Sequence, residues 1–324
     1  MKNILISPAG GQAISGIIEY FKKNGYAVTG IDSNPNAIGK FFCDRFCTVP
    51  RVQDSGYREA VLDIVSGENI DLFISWLDPE IQFWNELFFR DKIPESVKGC
   101  FALNFRRDLQ FLYDKYSLCK LLEKNAVRTP ETKLLSSLNP DRDGKTSLPF
   151  PVVVKPRIGF GSREMYIAKT HEDLSCHFRK LIQCNVSPEN FLIQEFIPGT
   201  EYTIDFFATG GQIDNLVVRN RLEQRGVSLR GEIIFDDTIE TIVRKTCKVL
   251  ELDGLNNLQL IKKENTCFVT DINLRPSGTI IFSIEAGIDM LRNVMERSQG
   301  MEITRFGKPR SLRMIRYLRE HYYE

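Results

Sequence analysis

The chain has 324 residues, about two domain-lengths at roughly 150 residues each. A hydrophobic share of 42% and a charged share of 26% exclude a disordered chain. With 43 basic and 42 acidic residues the formal charge is +1, which argues against a general nucleic-acid binder but leaves room for a local basic cleft.

A chain of this size buries about three quarters of its unfolded surface and needs no covalent staple. The 8 cysteines are scattered, and only Cys43 and Cys47 lie close, so they read as buried, reduced thiols. The 3 histidines show no metal-ligand spacing. No run reaches the roughly 18 apolar residues of a membrane span. The first ten residues lack the cationic head and cleavage site of a secretory leader, so a cytoplasmic location is expected.

In chain order, Asn3 to Ser7 reads as a buried strand, and Gly11 to Asn24 as a helix with Ile14, Ile17, Ile18 and Phe21 on one face. Tyr26 to Asp32 is a second strand, Asp54 to Ser66 a helix and Leu72 to Trp76 a third strand. This order predicts a parallel sheet with right-handed crossovers. The turn PAGGQAISG, with Asp32 closing the second strand, approaches a dinucleotide fingerprint without matching it. It reads as a structural or substrate-facing turn, with nicotinamide binding a remote alternative. Asp78 and Glu80 follow the third strand, where open α/β sheets bind ligands or cap a helix.

A helical stretch runs from Arg106 to Asn125, and residues 136–149 form a polar loop. A strand-rich block follows: 151–155, 164–168, 190–195, 202–208 and 213–219, with one helix near 172–184. A helix over 237–251 precedes a hairpin of strands at 257–262 and 267–273. No repeat or low-complexity segment appears.

Four features carry the chemistry. The run Val152-Val153-Val154-Lys155-Pro156 ends a buried strand in a lysine, a point charge suited to phosphate. Arg157 to Arg163 is a glycine- and serine-containing loop whose N–H groups can wrap phosphates. Gln194 to Thr203 leaves one strand, turns at Pro198-Gly199 and enters another, offering free backbone groups to a purine. Finally, Asn257-Leu258-Gln259 is followed by Asp271-Ile272-Asn273-Leu274-Arg275-Pro276-Ser277-Gly278. Period-two alternation puts Asp271, Asn273 and Arg275 on one face, an oxygen-rich surface suited to Mg²⁺ beside phosphates.

In this order, Lys115, VVVKP, the GFGS loop, QEFIPGTEYTIDFF and DINLRPSG resemble the successive signatures of the ATP-grasp superfamily. The nearest flavour is a short, single-unit relative of the carbamoyl-phosphate synthetase large chain. That resemblance implies an α/β and α+β architecture: a Rossmann-like pre-ATP-grasp domain over 1–105, a linker helix and lid over 106–196, and a C-terminal ATP-grasp lobe over 197–324. It implies ATP and one or two Mg²⁺, with Mn²⁺ a substitute. The implied activity is a carboxylate–amine ligase that forms an amide or peptide bond through an acyl phosphate. The implied partners are a small carboxylic acid and an amine acceptor, with no nucleic acid and no membrane. A homodimer is compatible with this reading.

By the same likeness, Lys115 and Lys155 would contact phosphates, and Gly159, Phe160, Gly161 and Ser162 would form the lid. Glu195, Phe196 and Ile197 would meet the adenine, and Glu201 the ribose. Gln259, Asp271 and Asn273 would hold metal, and Arg275 would face the γ-phosphate. Gly10, Gly11, Asp78, Glu80, Arg219, Arg221, Ser277 and Gly278 are candidates for the acid and amine pocket. Asp271 stands where the superfamily usually has glutamate, which weakens the case for bridging two ions. Gln259 resembles the carbamoyl-phosphate synthetase pattern. These departures leave two alternatives: a carboxy- or carbamate-phosphorylating enzyme, and a non-catalytic nucleotide-binding homologue. The chain is too short for a complete carbamoyl-phosphate synthetase.

Overall fold

The computed structural model describes residues 2–11, 13–138, 146–159, 165–225, 227–317 and 319–323. Its elements run β1 (Lys2–Ser7), α1 (Ile14–Lys23), β2 (Tyr26–Asp32), β3 (Arg45–Thr48), α2 (Tyr57–Gly67), β4 (Leu72–Ser75), α3 (Asp78–Phe89), α4 (Glu95–Lys98), α5 (Leu109–Tyr113) and α6 (Lys115–Lys124). Then come β5 (Thr132–Leu134), β6 (Val152–Pro156), β7 (Tyr166–Ala168), α7 (His171–Gln183), β8 (Phe191–Glu195), β9 (Thr200–Thr209), β10 (Gln212–Arg225) and β11 (Val227–Ile234). The chain continues with α8 (Asp237–Val249), β12 (Gly254–Lys263), β13 (Thr266–Asn273), α9 (Ile280–Glu285), α10 (Met290–Ser298) and β14 (Arg313–Ile315).

Three sheets result. The first is parallel, in the order β3-β2-β1-β4. Alternation along β1 sends Ile4 and Ile6 to one core and Leu5 to another. That explains its unbroken apolar run: both faces are covered. Ile4 and Ile6 pack with Ile14, Ile17, Ile18 and Phe21 of α1, the stripe visible in the sequence.

The second sheet is antiparallel, β5-β8-β6-β7. Val152 and Val154 of β6 enter its core beside Leu174 and Phe178 of α7. Lys155 therefore points to the opposite face. A capping box between Thr170 and Asp173 starts α7.

The third sheet is antiparallel and six-stranded, β13-β12-β9-β10-β11-β14. One face carries a large apolar core. Ile204, Phe206, Leu258 and Leu260 pack there on Leu112, Leu118, Leu122, Ile239 and Val243 from the helices. The other face is divided. Phe207, Val217, Ile233 and Leu255 pack toward β1, β4, α1, α9 and α10. Further along the same strands stand Glu201, Thr203, Gln259, Arg219 and Arg221, which leave a polar surface open.

The predicted helix over 106–125 is interrupted at Asp114. That residue takes an extended conformation and its side chain accepts the Tyr116 N–H, so it caps α6. Strands β3, β5, β11 and β14 were not anticipated. Three of them have only three or four residues, and β11 carries Arg230, Gly231 and Glu232. Sequence-distant partners, rather than local propensity, decide such strands.

Phe207 is wholly buried between the third sheet and the N-terminal layer. Phe207→Ala is expected to cost about 3–5 kcal/mol and to lower the urea midpoint of the whole chain. An unchanged midpoint would show that this interface contributes little.

Candidate active site

A bulge in β13 places the acid that sequence alternation singles out. Cys267 and Val269 are in the helix-side core, so strict alternation would send residue 271 there too. The β12–β13 register shifts between Gln259 and Leu260, and Ile272 enters the core instead. Asp271 thereby turns to the open face, directly opposite Gln259. Asn273 lies opposite Asn257, donates to its Oδ1 at 3.2 Å and receives the Arg275 Nη2 at 3.4 Å.

Two lysines converge on Asp271. Lys115, the first residue of α6, lies 3.5 Å from the Asp271 Oδ1 and donates to the Gly159 carbonyl at 2.8 Å. Burial pushes the Lys155 amine below the ordinary lysine range. Asp271 pulls it back up, Lys115 depresses it further, and Glu201 adds a smaller upward pull. Lys115, Lys155, Asp271 and Glu201 thus share one electrostatic site, although they come from α6, β6, β13 and β9.

The Gly159 end of the loop is tied to this site. Arg157 grips Asp114 through its Nε at 3.1 Å and its Nη2 at 2.6 Å, while its backbone N–H donates to the Asn190 carbonyl. Burial alone would raise the Asp114 carboxyl. Its bonds with Arg157 and Ser117 outweigh that and hold it below the usual range. Phe160, Gly161 and Ser162 lie outside the described residues.

Glu195 ends β8, its N–H donating to the Glu131 carbonyl at 2.9 Å. Phe196 and Ile197 then carry the chain from the second sheet into β9 of the third, and Ile197 is buried. At Gly199 a Cβ would stand 2.5 Å from the Lys262 carbonyl oxygen, so this crossing needs glycine. Glu201 meets Arg221, 3.6 Å from its Nη1.

Arg275 is anchored from the N-terminal layer. Its Nε donates to the Asp78 Oδ2 at 2.7 Å, and the Tyr113 hydroxyl donates to Oδ1 of the same carboxylate at 3.3 Å. Burial holds the Asp78 carboxyl above its ordinary range, against the pull of Arg275. Asp78 is thus engaged by Arg275 and Tyr113. Glu80 is fully buried and accepts bonds from Ser7 (2.9 Å), Ser75 and Tyr57. Burial pushes it up to about 8. Both residues stand in the first turn of α3, whose N-cap is Leu77, and neither side chain caps the helix.

The glycine turn is closed by its own aspartate: the Gly10 N–H donates to the Asp32 Oδ2 at 2.7 Å, and the Gly11 carbonyl accepts the Ile14 N–H. Arg219 is 3% exposed; its Nη2 lies 2.7 Å from Asp205 and 3.0 Å from the Ser277 hydroxyl, and its Nη1 donates to Thr279. The Gly278 carbonyl accepts the Arg316 Nη2 at 3.2 Å. A cavity of about 260 Å³ opens beside Arg275, lined also by Ser75, Phe101, Asn104 and Leu255.

Sequence reasoning did not find Asp114, Arg157's grip on it, Tyr113 or Arg316. An aspartate preceding a helical run was the available signal for Asp114. Nothing local announced the others.

The donor set suits one hard cation. Asp271 supplies a carboxylate, Gln259 and Asn273 supply amide oxygens, and nucleotide phosphates supply oxygen ligands of the same kind. Among the described residues no cluster of three or more His, Cys, Asp or Glu could hold a metal unaided. No described helix is long and apolar enough to cross a membrane.

Comparison with known proteins bears on the fold. A family described as "ATP-grasp in the biosynthetic pathway with Ter operon" matches residues 187–320, and a PylC-like N-terminal domain matches residues 4–92. A carbamoyl-phosphate synthase of Methanobrevibacter smithii is 22% identical over 313 residues, covering 90% of this chain and 79% of that protein. The carbamoyl phosphate synthase large chain of Archaeoglobus fulgidus is 24% identical over 88% of this chain, which spans only 30% of that relative. The structure of N5-carboxyaminoimidazole synthetase from Staphylococcus aureus complexed with ADP superposes with a TM-score of 0.75. It is 17% identical and covers 98% of this chain and 82% of its own. The ATP-grasp fold expected from the motifs is borne out.

Two measurements probe the site's electrostatics. Asp271→Ala removes the main upward pull on Lys155, so Lys155 should react with an amine-directed acylating reagent at lower pH than in wild type, read by peptide mapping. For Glu80, the folded value of about 8 lies above the ordinary 4.5. The folded state therefore keeps a proton that the unfolded state releases, and stability should fall as pH rises through that window. In Glu80→Gln the thermal midpoint should change less between those pH values. An equally steep dependence would place the titration elsewhere.

Proposed function

Since the chain has the ATP-grasp fold, we propose that it is a Mg²⁺-dependent carboxylate–amine ligase acting through an acyl phosphate. One observation carries the reading: Lys115, Lys155, Asp271 and Gln259 meet where the second and third sheets face each other. Two lysines beside Asp271 suit a polyphosphate that brings its own negative charge.

In this reading ATP lies between the two sheets. Glu195 and the Phe196–Ile197 backbone meet the adenine, Glu201 the ribose, and Lys115 and Lys155 the phosphates. Gly159 begins the covering loop. Asp271, with Gln259 and Asn273, would hold one Mg²⁺, which supplies charge neutralisation on the phosphates. A carboxylate oxygen of the acid attacks the γ-phosphorus, the bond to the β–γ bridging oxygen breaks, and ADP leaves. The amine then attacks the acyl carbon; phosphate departs and the amine loses a proton, giving the amide. Arg275, held by Asp78, faces the transferred phosphoryl group. The chain's task is positioning and charge neutralisation, which needs no protein nucleophile.

A second reading is favoured by Gln259 and by the carbamoyl-phosphate synthase relatives: bicarbonate or carbamate as the phosphorylated acid. ATPase activity stimulated by bicarbonate without an amine would select it.

The test is ADP release by purified protein with Mg²⁺ and a panel of acids and amines. Lys155→Ala and Asp271→Ala should each lower turnover by about 10²–10³-fold. Unchanged turnover in both would remove the assignment. Nucleotide binding without turnover across the panel would leave a non-catalytic homologue.

A further inference from the structure

Three arginines gather beside the 275–279 loop. Arg219 and Arg221 project from β10 to the open face, and Arg316 follows β14 at the sheet edge. Each has a buried nitrogen without a hydrogen-bond partner: Nε of Arg219, Nε of Arg221 and Nη1 of Arg316. Arg219 and Arg221 line a small cleft together with Thr203, Gly231, Thr279 and Met314. A charged donor buried without a partner is costly, so three in one place require an explanation.

Charge points the same way. Asp205 pairs with Arg219 and Glu201 with Arg221, while Arg316 donates to a backbone carbonyl. Burial lowers the Arg219 pKa first, Asp205 opposes that, and the neighbouring Arg221 and Arg316 lower it further. The three cations are thus close enough to repel one another, with two carboxylates between them.

Position separates this cluster from the nucleotide phosphates. Strand β10 lies three strands from β13 in the sheet order. At about 4.8 Å per strand, the cluster is roughly 14 Å from Asp271. The 275–279 loop bridges the two places: Arg275 opens it, and Ser277 and Thr279 bind Arg219.

We propose that Arg219, Arg221 and Arg316 form a docking site for an oxyanion, a carboxylate or a phosphate, carried by the acceptor substrate at the end remote from its reacting group. This rests on the ligase reading and adds Arg316 and a second anionic group to it. The substrate class is then a small molecule with an anionic tail. Gly231 lies in the wall, where a Cβ would stand 3.0 Å from the Asn220 carbonyl oxygen.

The test is thermal stabilisation of the full chain, with and without ADP and Mg²⁺, by succinate and by inorganic phosphate at matched ionic strength. Either anion should raise the midpoint with ADP present. Arg316→Gln should weaken that response about tenfold or more and leave the ADP shift intact. Arg313→Gln removes the same charge from an exposed position paired with Glu232 and should respond as wild type. A response to succinate alone identifies a carboxylate tail, and a response to phosphate alone a phosphorylated one. The proposal is overturned if neither anion acts while ADP does, if Arg316→Gln matches wild type, or if Arg313→Gln loses as much. A missing ADP shift would instead count against the ligase reading, and the anion arm without ADP would still decide the pocket.

Discussion

Buried positive charge is the constraint around which the cleft is organised. A cation removed from water is costly unless a partner compensates it. Here Lys155 has Asp271, Arg219 has Asp205, Arg221 has Glu201 and Arg275 has Asp78. Most of these pairs join different elements. They hold the basic groups in place in the structure itself, a preorganisation that the proposed phosphoryl transfer would use. The near-zero net charge of the chain therefore conceals a basic cleft with its own acids.

The divided face of the six-stranded sheet makes that arrangement possible. Its helix-covered side is a continuous core, so the strands are rigid. Its other side is apolar where it meets the parallel sheet and polar where it meets the small antiparallel sheet. One set of strands thus carries both an interdomain interface and a polar floor. The Asp78–Arg275 pair spans the boundary between them. The tight crossing at Gly199, next to Lys262, joins the small sheet to the floor.

Much of this was legible in sequence because it depends on periodicity. The apolar run of β1, the stripe of α1 and the alternation of Asp271 with Asn273 follow from strand and helix geometry. The motif order was legible because the two lysines, the glycine loop and the DINLRPSG segment occur in a fixed succession. The short edge strands were not, since their hydrogen-bond partners lie far along the chain. Neither was the break at Asp114, where a side-chain cap outweighs an otherwise unbroken helical pattern.

The sequence by itself determined the layered fold class and the phosphate- and metal-suited residue types. Those are local properties, set by residue type and a period of two or 3.6. Only the tertiary structure decided which residues meet. It joined Asp78 to Arg275 across 197 positions, turned Asp271 outward through a bulge, and brought Arg316 to Arg219. Such meetings depend on long-range packing and on where buried charge finds a partner, and no spacing along the chain encodes them.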